Sequence, residues 1–343
     1  MIYSLNDFDY KFDKKLIAKY PLKERDESRL LYYSLRSDEI REYKFKDILN
    51  LFNKNDLLIL NDTKVVKARM HLTDERGRMF ELLFIRMLDE EARKIYGLVF
   101  PARKLKKGLK LYLDKDNYFE FVERDRDGGH FIFNFQSEFY ETLERFGEVP
   151  LPPYIDRKQE KGDEKAYQTV FAKIKGSVAA PTAGLHFSNE LLSMLTQKGV
   201  NIGYITLAVG PATFLPIRKL DQPLQPEVCH VPYKTIELIK SAVINRTRIC
   251  PVGTTSLRCI ESITRDLKEI KNSLDFETSL FIKPGWSPRF ITSLITNFHL
   301  PKSSLFILVC SLIGIDKTKK IYNYAINKKY RFYSYGDACF FEL

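Results

Sequence analysis

Apolar runs and polar turns alternate along the first part of the chain. Runs at residues 30–35 and 40–45 flank Ser37-Asp38-Glu39 and predict a β-hairpin. The run at 57–60 contains no polar position, which is typical of a buried strand. Four polar residues follow at its end: Asn61, Asp62, Thr63 and Lys64. Polar groups at the end of a buried strand are well placed for a ligand site.

Between about residue 69 and residue 135 the pattern changes to short alternating or β-rich runs. These runs lie at 80–85, 96–100, 109–113, 118–122 and 131–135. Asp127-Gly128-Gly129 supplies turn residues between the last two runs. This segment is predicted to form a small antiparallel β-barrel inserted into another domain.

Helices and strands alternate through the rest of the chain, which predicts an α/β layer fold. Helices are expected at 164–173, 189–198, 235–245 and 256–267, and strands at 202–209, 248–252 and 280–282. A further amphipathic helix is expected at 13–20, before Pro21. The expected fold class is α/β, with a large α/β layer domain (residues 1–66 and 152–343) interrupted by an inserted small antiparallel β-barrel domain (residues 67–151).

Length and composition fit a folded protein with a sizeable core. The chain has 343 residues, of which 44% are hydrophobic and 29% are charged, enough for two domains. Its longest apolar stretch, residues 305–315, is shorter than the ~20 residues that span a bilayer, so we expect a buried helix and no membrane partner. No signal peptide pattern opens the chain, and the five cysteines include no C-x-x-C pair. We therefore expect a cytoplasmic protein without a zinc cage or a disulfide framework.

The chain carries a formal charge of +11, from 55 Lys and Arg against 44 Asp and Glu. Basic residues cluster at 103–107, at 317–320 and at 328–331. Such clusters suit nucleic acid or phosphate, but solvated charged faces have the same composition. Charge alone leaves both interpretations open.

A loop of small residues at 176–187 contains Thr182, Gly184 and His186. Small residues let a ligand approach the backbone, and Ser188 opens a helix whose N-terminal amides could receive an anion. A tight loop with a structural histidine is the alternative. The setting of the imidazole favours a ligand loop.

A predicted strand, turn and helix meet at residues 253–258, which include Thr254, Thr255 and Arg258. Hydroxyl groups at a helix N-terminus suit anions or ribose hydroxyls, although a Thr in this position is usually only a cap. The junction matches neither the P-loop pattern nor the dinucleotide-binding pattern.

Two segments near the C-terminus combine aromatic rings with polar groups. They are residues 296–301, with Asn297 and His299, and residues 330–337, with Arg331, Tyr335 and Asp337. Aromatic residues beside Arg suit stacking on a base, and core packing around a satisfied Arg is an equally common outcome. The residues alone therefore predict an α/β enzyme that binds a polar ligand, with RNA contact left open.

Together these motifs resemble the S-adenosylmethionine:tRNA ribosyltransferase-isomerase family, and the matches run through nearly the whole chain. The matching segments are residues 8–10, 16–18, 21–22, 25–30, 61–65, 101–105, 150–155, 167–172, 180–187, 253–261, 296–301 and 330–337. One such string would mean little, but this ordered set is highly specific.

The resemblance implies a monomeric enzyme with a large α/β domain and an inserted β-barrel. It implies two substrates, S-adenosylmethionine and a tRNA whose anticodon loop carries 7-aminomethyl-7-deazaguanine at the wobble position. The products would be epoxyqueuosine-tRNA, adenine and methionine. S-adenosylmethionine is then consumed as a ribosyl donor, and neither a cofactor nor a metal is expected.

This reaction gives the candidate residues their expected roles. His186 and His299, whose imidazoles would titrate nearest neutral pH, are expected to share the acid and base work. Asp62 and Asp337 would orient them or the amine, while Arg103 and Arg331 would meet RNA phosphates. The other expected substrate-binding residues are Asn61, Thr63, Lys64, Thr182, Gly184, Glu227, Thr254, Thr255, Arg258, Asn297 and Tyr335.

Two departures from the family pattern bear on activity. Ala208, in the segment 206–214, and Gln225, in the segment 224–227, stand where the family usually has histidines. His230 could compensate in space. If the lost histidines are catalytic, the chain would be an impaired family member that acts as a tRNA-binding module. A third hypothesis is a small-molecule enzyme that binds a phosphate at 253–258; we favour the active enzyme because the other motifs are complete.

Overall fold

The N-terminal part of the chain forms a hairpin and a buried strand, in a computed structural model that describes residues 3–125, 128–210, 217 and 219–343. Its elements are β1 (Arg29–Ser34), β2 (Glu39–Lys44), α1 (Ile48–Leu51), β3 (Leu57–Asn61) and β4 (Thr63–Val65). The predicted hairpin and buried strand are confirmed, since β1 pairs antiparallel with β2 and every residue of β3 is buried.

The helix predicted at 13–20 is wrong. The segment forms a short 3-10 turn, Lys14–Leu16, and then continues as extended backbone. Ile17 makes a parallel bridge to Phe332, and the Ala18 amide donates to the Phe332 carbonyl. Pairing with a distant segment therefore overrides the local helical pattern.

A closed barrel follows, with the strand order β10-β7-β6-β5-β8-β9. Its strands are β5 (Arg69–Thr73), β6 (Met79–Asp89), β7 (Lys94–Phe100), β8 (Lys110–Tyr112), β9 (Tyr118–Asp125) and β10 (Gly128–Asn134). Buried side chains alternate along these strands, and Phe84, Phe119 and Phe131 lie in the shared core. The predicted antiparallel barrel is confirmed, although Asp127 of the predicted turn lies outside the described residues.

The chain then returns to the larger sheets. The elements of this part are α2 (Phe139–Phe146), α3 (Asp163–Ala166), β11 (Ile174–Ser177), α4 (Asn189–Gln197) and β12 (Asn201–Leu207). The helix predicted at 189–198 is confirmed with its cap, because the Ser188 hydroxyl accepts from the Leu191 amide. The helix predicted at 164–173 is wrong beyond α3, since the Gln168 side chain instead exchanges hydrogen bonds of 2.7 and 3.1 Å with the Val65 backbone.

The C-terminal part supplies the remaining elements. They are β13 (Glu227–Val231), α5 (Tyr233–Asn245), β14 (Ile249–Pro251), α6 (Gly253–Glu261), β15 (Leu274–Thr278), β16 (Ser293–Asn297), α7 (Ser304–Ile313), α8 (Ile315–Asn327) and β17 (Ala338–Glu342). The helix predicted at 256–267 is observed as α6, which begins and ends earlier. The strand predicted at 280–282 is wrong, because β15 takes the place beside β13. Within the described residues, no helix combines the length and apolar character needed to cross a membrane.

Parallel strands bring candidate residues to one edge of a sheet. One sheet has the order β14-β3-β12-β13-β15, a second has the order β16-β17-β1-β2, and β4 pairs with β11. Because β3 runs parallel to β14 and β12, Asn61 and Gly253 lie at the same edge. A bridge between Val252 and Ile295 joins the two larger sheets there. The α/β class with an antiparallel barrel is confirmed, and the domain boundaries near residues 66 and 151 stay a prediction.

Candidate active site

Three adjoining clefts, called A, B and C, open around the sheet edge at which Asn61 and Gly253 lie. Cleft A, about 940 Å³, is lined by residues 180–183, 253–255 and 296–301 with Tyr154, Val209, Ser303, Leu305, Tyr333 and Ser334. Cleft B, about 850 Å³, is lined by residues 21–23, 165–166, 185–186 and 334–336 with Arg25, Ser28, Gly162 and Arg331. Cleft C, about 1460 Å³, is lined by residues 85–86, 224–228, 280–282 and 304–305 with Tyr96, Asp125, Ala208, Gly210, Arg258 and Leu308. Ser334 is shared by clefts A and B, and Leu305 by clefts A and C.

His186 lies between clefts A and B and is held on both ring nitrogens. Its Nδ1 is 2.8 Å from the Ser28 hydroxyl, and its Nε2 is 3.1 Å from the Asn297 amide nitrogen. The orientation of that amide follows from its other bonds, because its oxygen accepts from Thr182 and its nitrogen also donates to the Tyr333 carbonyl. His186 Nε2 therefore accepts a hydrogen bond, and its Nδ1–H donates to Ser28.

His299 follows β16 and lines cleft A. Its Nε2 is 2.8 Å from the Thr296 hydroxyl, and its backbone amide and carbonyl are bonded to the hydroxyls of Tyr322 and Tyr10. These backbone bonds fix the residue against the core, while its ring borders the cleft. The hydrogen bonds of its backbone thus hold His299 in place beside the cleft.

Both imidazoles are neutral at physiological pH, contrary to the expectation that they titrate near neutrality. Burial lowers the pKa of His186 to about 3, and the positive charges of Arg331 and Arg25 act in the same direction. Burial lowers the pKa of His299 to about 3 as well. A neutral imidazole can donate or accept a hydrogen bond. With a pKa of about 3, however, it is too weak a base to hold an added proton near neutral pH. The catalytic roles of both residues stay predictions.

The start of α6 brings hydroxyl groups into cleft A. Thr254 and Thr255 line the cleft in the first turn of the helix, where backbone N–H groups lack intrahelical partners. Asn61 donates to the Thr255 hydroxyl at 3.4 Å and exchanges 3.0 Å hydrogen bonds with the Leu207 backbone. Asn61 therefore connects β3, β12 and α6. It does not line the cleft itself but holds the Thr255 side chain that does.

The two candidate aspartates do not orient the imidazoles. Asp337 accepts hydrogen bonds from the backbone amides of Arg29 and Arg331 and forms an ion pair with the Arg331 guanidinium at 3.2 Å. Asp62 accepts from the Thr206 hydroxyl at 2.6 Å, and burial raises its pKa. Asp337 thus positions Arg331 beside cleft B, and Asp62 lies apart from clefts A, B and C.

Glu227 and Arg258 form a buried ion pair in cleft C. Ala208 and Gln225, the two departures from the family pattern, line the same cleft. His230 does not compensate for them. It lies three positions after Glu227 on the strand, hence on the opposite face, and binds Asp275 at 2.7 Å on the exposed side. Residues 211–214 of the altered segment lie outside the described residues.

The remaining candidates divide between the clefts and other locations. Thr182 and Asn297 line cleft A, and Arg331 and Tyr335 line cleft B. Gly184 serves packing, since a Cβ there would lie 2.8 Å from the Phe171 ring. Seven candidates are not among the residues lining clefts A, B and C: Asn61, Asp62, Thr63, Lys64, Arg103, Gly184 and Asp337.

Sequence reasoning missed several residues of the clefts. The segment 25–29 had the pattern of a structural ion-pair corner, yet it gives Ser28 to His186 and Arg25 to cleft B. Arg25 donates to the backbone carbonyls of Gln168 at 2.6 Å and Lys165 at 2.9 Å. Tyr154, from the matching segment 150–155, was assigned no role and lies in cleft A. Membership in a matching segment was the available signal for each.

Metal ligands are not assembled in the described part of the chain. No group of three or more His, Cys, Asp or Glu side chains there is placed to hold a metal ion. All five cysteines are free and buried.

Comparisons with known proteins agree with this architecture. A family model described as queuosine biosynthesis protein matches residues 5–341. Two proteins named S-adenosylmethionine:tRNA ribosyltransferase-isomerase are each 40% identical to the chain. The one from Francisella tularensis subsp. tularensis (strain FSC 198) aligns over 99% of both chains, and the one from Sulfurihydrogenibium sp. (strain YO3AOP1) over 97% of this chain and 98% of its own.

A crystal structure of S-adenosylmethionine tRNA ribosyltransferase from Thermotoga maritima gives the same result. It is 30% identical, has a TM-score of 0.57, and the match covers 98% of this chain and 99% of that one. The chain belongs to the S-adenosylmethionine:tRNA ribosyltransferase-isomerase family of queuosine biosynthesis and is a transferase and isomerase.

Proposed function

We propose that this enzyme transfers and isomerises the ribosyl group of S-adenosylmethionine onto 7-aminomethyl-7-deazaguanine at the wobble position of tRNA. The products are epoxyqueuosine-tRNA, adenine and methionine. The names of its relatives support both substrates. The observation that carries the proposal is cleft A, where the hydroxyls at the start of α6 and the neutral imidazole of His299 border one cavity.

Cleft A suits the nucleoside part of the donor. Val209, Pro301 and Leu305 supply apolar wall for a purine, and Thr254 and Thr255 supply hydroxyls for ribose. Among the described residues that line cleft A there is no Lys or Arg. This favours a donor without phosphate in cleft A and disfavours a phosphate at residues 253–255 of the junction, the part that lines this cleft.

The reaction assigns a role to the neutral imidazole of His299. The sulfonium acidifies the adjoining ribose carbon, and the amine nitrogen of the modified base bonds to the ribosyl group. The carbon–sulfur bond breaks to release methionine as a neutral thioether, and the glycosidic bond breaks to release adenine. The amine and the ribosyl group each lose one proton, of which one goes to the departing adenine and the other to solvent. An imidazole with a pKa of about 3 is a weak base, but its N–H can stabilise negative charge that develops on adenine. His299 is the catalytic residue in this proposal. His186 is a positioning residue, since it holds Asn297 on the cleft wall.

Two basic residues, one in cleft B and one on the surface of the barrel, support binding of the tRNA acceptor. In this proposal, phosphates of the anticodon loop are bound by Arg331, which Asp337 fixes beside cleft B, and by Arg103, which is exposed on the turn after β7. The formal charge of +11 supports an RNA substrate. The proposal includes a cytoplasmic monomer that needs no cofactor and has an inserted barrel domain at residues 67–151.

A second candidate function is tRNA binding without transfer. Ala208 and Gln225 line one cleft, so both altered positions affect the same surface. Adenine release from S-adenosylmethionine, measured by chromatography with and without tRNA carrying 7-aminomethyl-7-deazaguanine, separates the two. We expect release that requires this tRNA. Tight tRNA binding without adenine release would support the binding module.

A further inference from the structure

Cleft C contains a buried ion pair that the mechanism in cleft A does not use. Glu227 begins β13 and Arg258 lies in the second turn of α6, and their side chains are 9% and 7% exposed. The Arg258 Nε donates to the Leu280 carbonyl at 2.8 Å, and its Nη1 donates to Glu227 Oε2. Both residues are among those that line the cleft.

The hydrogen bonds of this pair are incomplete. Arg258 Nη2 is buried and has no acceptor within the part of the chain that the structure describes. A buried guanidinium nitrogen without an acceptor is unfavourable, because folding removes its water without replacing the bond. An acceptor oxygen from a ligand would complete the guanidinium.

The charges around the pair define the kind of ligand. A simple anion at Arg258 would also meet the Glu227 carboxylate, and a simple cation at Glu227 would also meet the guanidinium. A group that carries a carboxylate and an ammonium ion on one carbon complements both at once. We propose that Arg258 and Glu227 bind the α-amino acid end of the ribosyl donor, with the carboxylate at Arg258 and the ammonium group at Glu227.

This inference rests on the proposed function, and the arrangement of the clefts supports it. Leu305 lines both A and C, and α6 runs from Thr255 in cleft A to Arg258 in cleft C. Three residues of helix rise about 4.5 Å, a distance that the methionyl chain of the donor can span. The amino acid end forms and breaks no bond in the reaction, so the pair acts by binding.

Equilibrium binding of two donors tests the assignment. We would measure the Kd of S-adenosylmethionine and of its decarboxylated analogue by isothermal titration calorimetry on the full chain. The wild type should bind the analogue at least about 10-fold more weakly, the factor expected for a hydrogen bond between charged groups. In Arg258→Lys this preference should fall toward one. Arg248→Lys, which alters a half-buried arginine paired with Glu342 away from the clefts, should keep it.

A second variant leaves the ion pair intact. Ala208→Glu adds a carboxylate to the wall of cleft C and should weaken S-adenosylmethionine more than the decarboxylated analogue. Equal affinities of the wild type for the two donors would overturn the assignment, as would an unchanged preference in Ala208→Glu or in folded Arg258→Lys. Binding and turnover are separate measurements. A carboxylate preference without adenine release would overturn the proposed function alone, and adenine release without the preference would overturn this assignment alone.

Discussion

Asn297 donates its side-chain amide to Nε2 of His186 across 3.1 Å, although 111 residues separate them in the chain. The same amide donates to the Tyr333 carbonyl and accepts from Thr182, so each polar atom of Asn297 has a partner. The contact joins the loop at 180–187 to the end of β16. It thereby fixes the wall shared by clefts A and B and holds His186 in one tautomer.

Replacing Asn297 should lower kcat while the protein stays folded. In Asn297→Ala, the Nε2 of His186 loses its donor and the cleft wall loses its connection, so we expect kcat to fall by about 10-fold to 100-fold. Adenine release at saturating donor measures kcat. Asn245→Ala, at an exposed helix end, is the matched control and should retain wild-type kcat. Equal losses in both variants would contradict the role given to Asn297.

His299→Ala should remove the donor to departing adenine. We expect a fall in kcat of about 100-fold or more, typical of a group that assists a leaving group in the transition state. His230→Ala, which removes the exposed imidazole paired with Asp275, is the control and should leave kcat unchanged. Single-turnover adenine release reports the step itself. Wild-type release by His299→Ala would rule out His299 as the catalytic residue.

The buried imidazoles predict a loss of stability toward acid. Their folded-state pKa values are about 3, below the ordinary value of 6.5, so between these values the unfolded chain binds protons that the folded chain does not. Stability from these groups is therefore present above pH 6.5 and is lost as the pH falls toward 3. Scanning calorimetry should show a Tm that decreases from pH 7 to pH 5.

The pH dependence of Tm has its own matched variants. His186→Gln removes one of the titrating groups and should reduce the slope of Tm against pH. His71→Gln, at an exposed position, should leave most of that slope in place. A slope that is identical in wild type and His186→Gln would show that burial does not hold this imidazole neutral.

Arg103 should contribute to RNA binding without contributing to chemistry. Arg103→Ala should weaken tRNA binding and reduce the dependence of log Kd on log salt by about one ion, because one phosphate contact is lost. Lys234→Ala, at an exposed position of α5, is the control for loss of one positive charge. Filter binding at several salt concentrations gives both slopes. If the two variants have the same slope, Arg103 makes no specific phosphate contact.

Local patterns predicted the elements that local interactions determine. The hairpin of β1 and β2, the buried strand β3 and the capped helix α4 all follow from periodicity and turn residues. The helices expected at 13–20 and 164–173 failed because distant partners decide those segments. Ile17 pairs with Phe332, and the Gln168 side chain binds the backbone of Val65.

The site shows the same division. His186, His299, Thr254 and Thr255 were recognised by residue type and motif and do line adjoining clefts. The protonation states of the two histidines were not predictable from the sequence, because the burial that lowers their pKa arises only when separate segments pack together. The true partner of Asp337 is Arg331, six residues earlier, within the same motif. That Ala208 and Gln225 share a cleft with Arg258 also follows from the packing of the sheet and not from the sequence.

Transfer of an isotopic label tests the central claim most directly. The enzyme would be incubated with tRNA carrying 7-aminomethyl-7-deazaguanine and with S-adenosylmethionine labelled with carbon-13 throughout its ribose, followed by nucleoside mass spectrometry. We predict that the wobble nucleoside gains the labelled ribosyl-derived group as an equal amount of adenine appears. An unchanged nucleoside mass, with tRNA still tightly bound, would contradict ribosyl transfer and leave the chain a tRNA-binding protein.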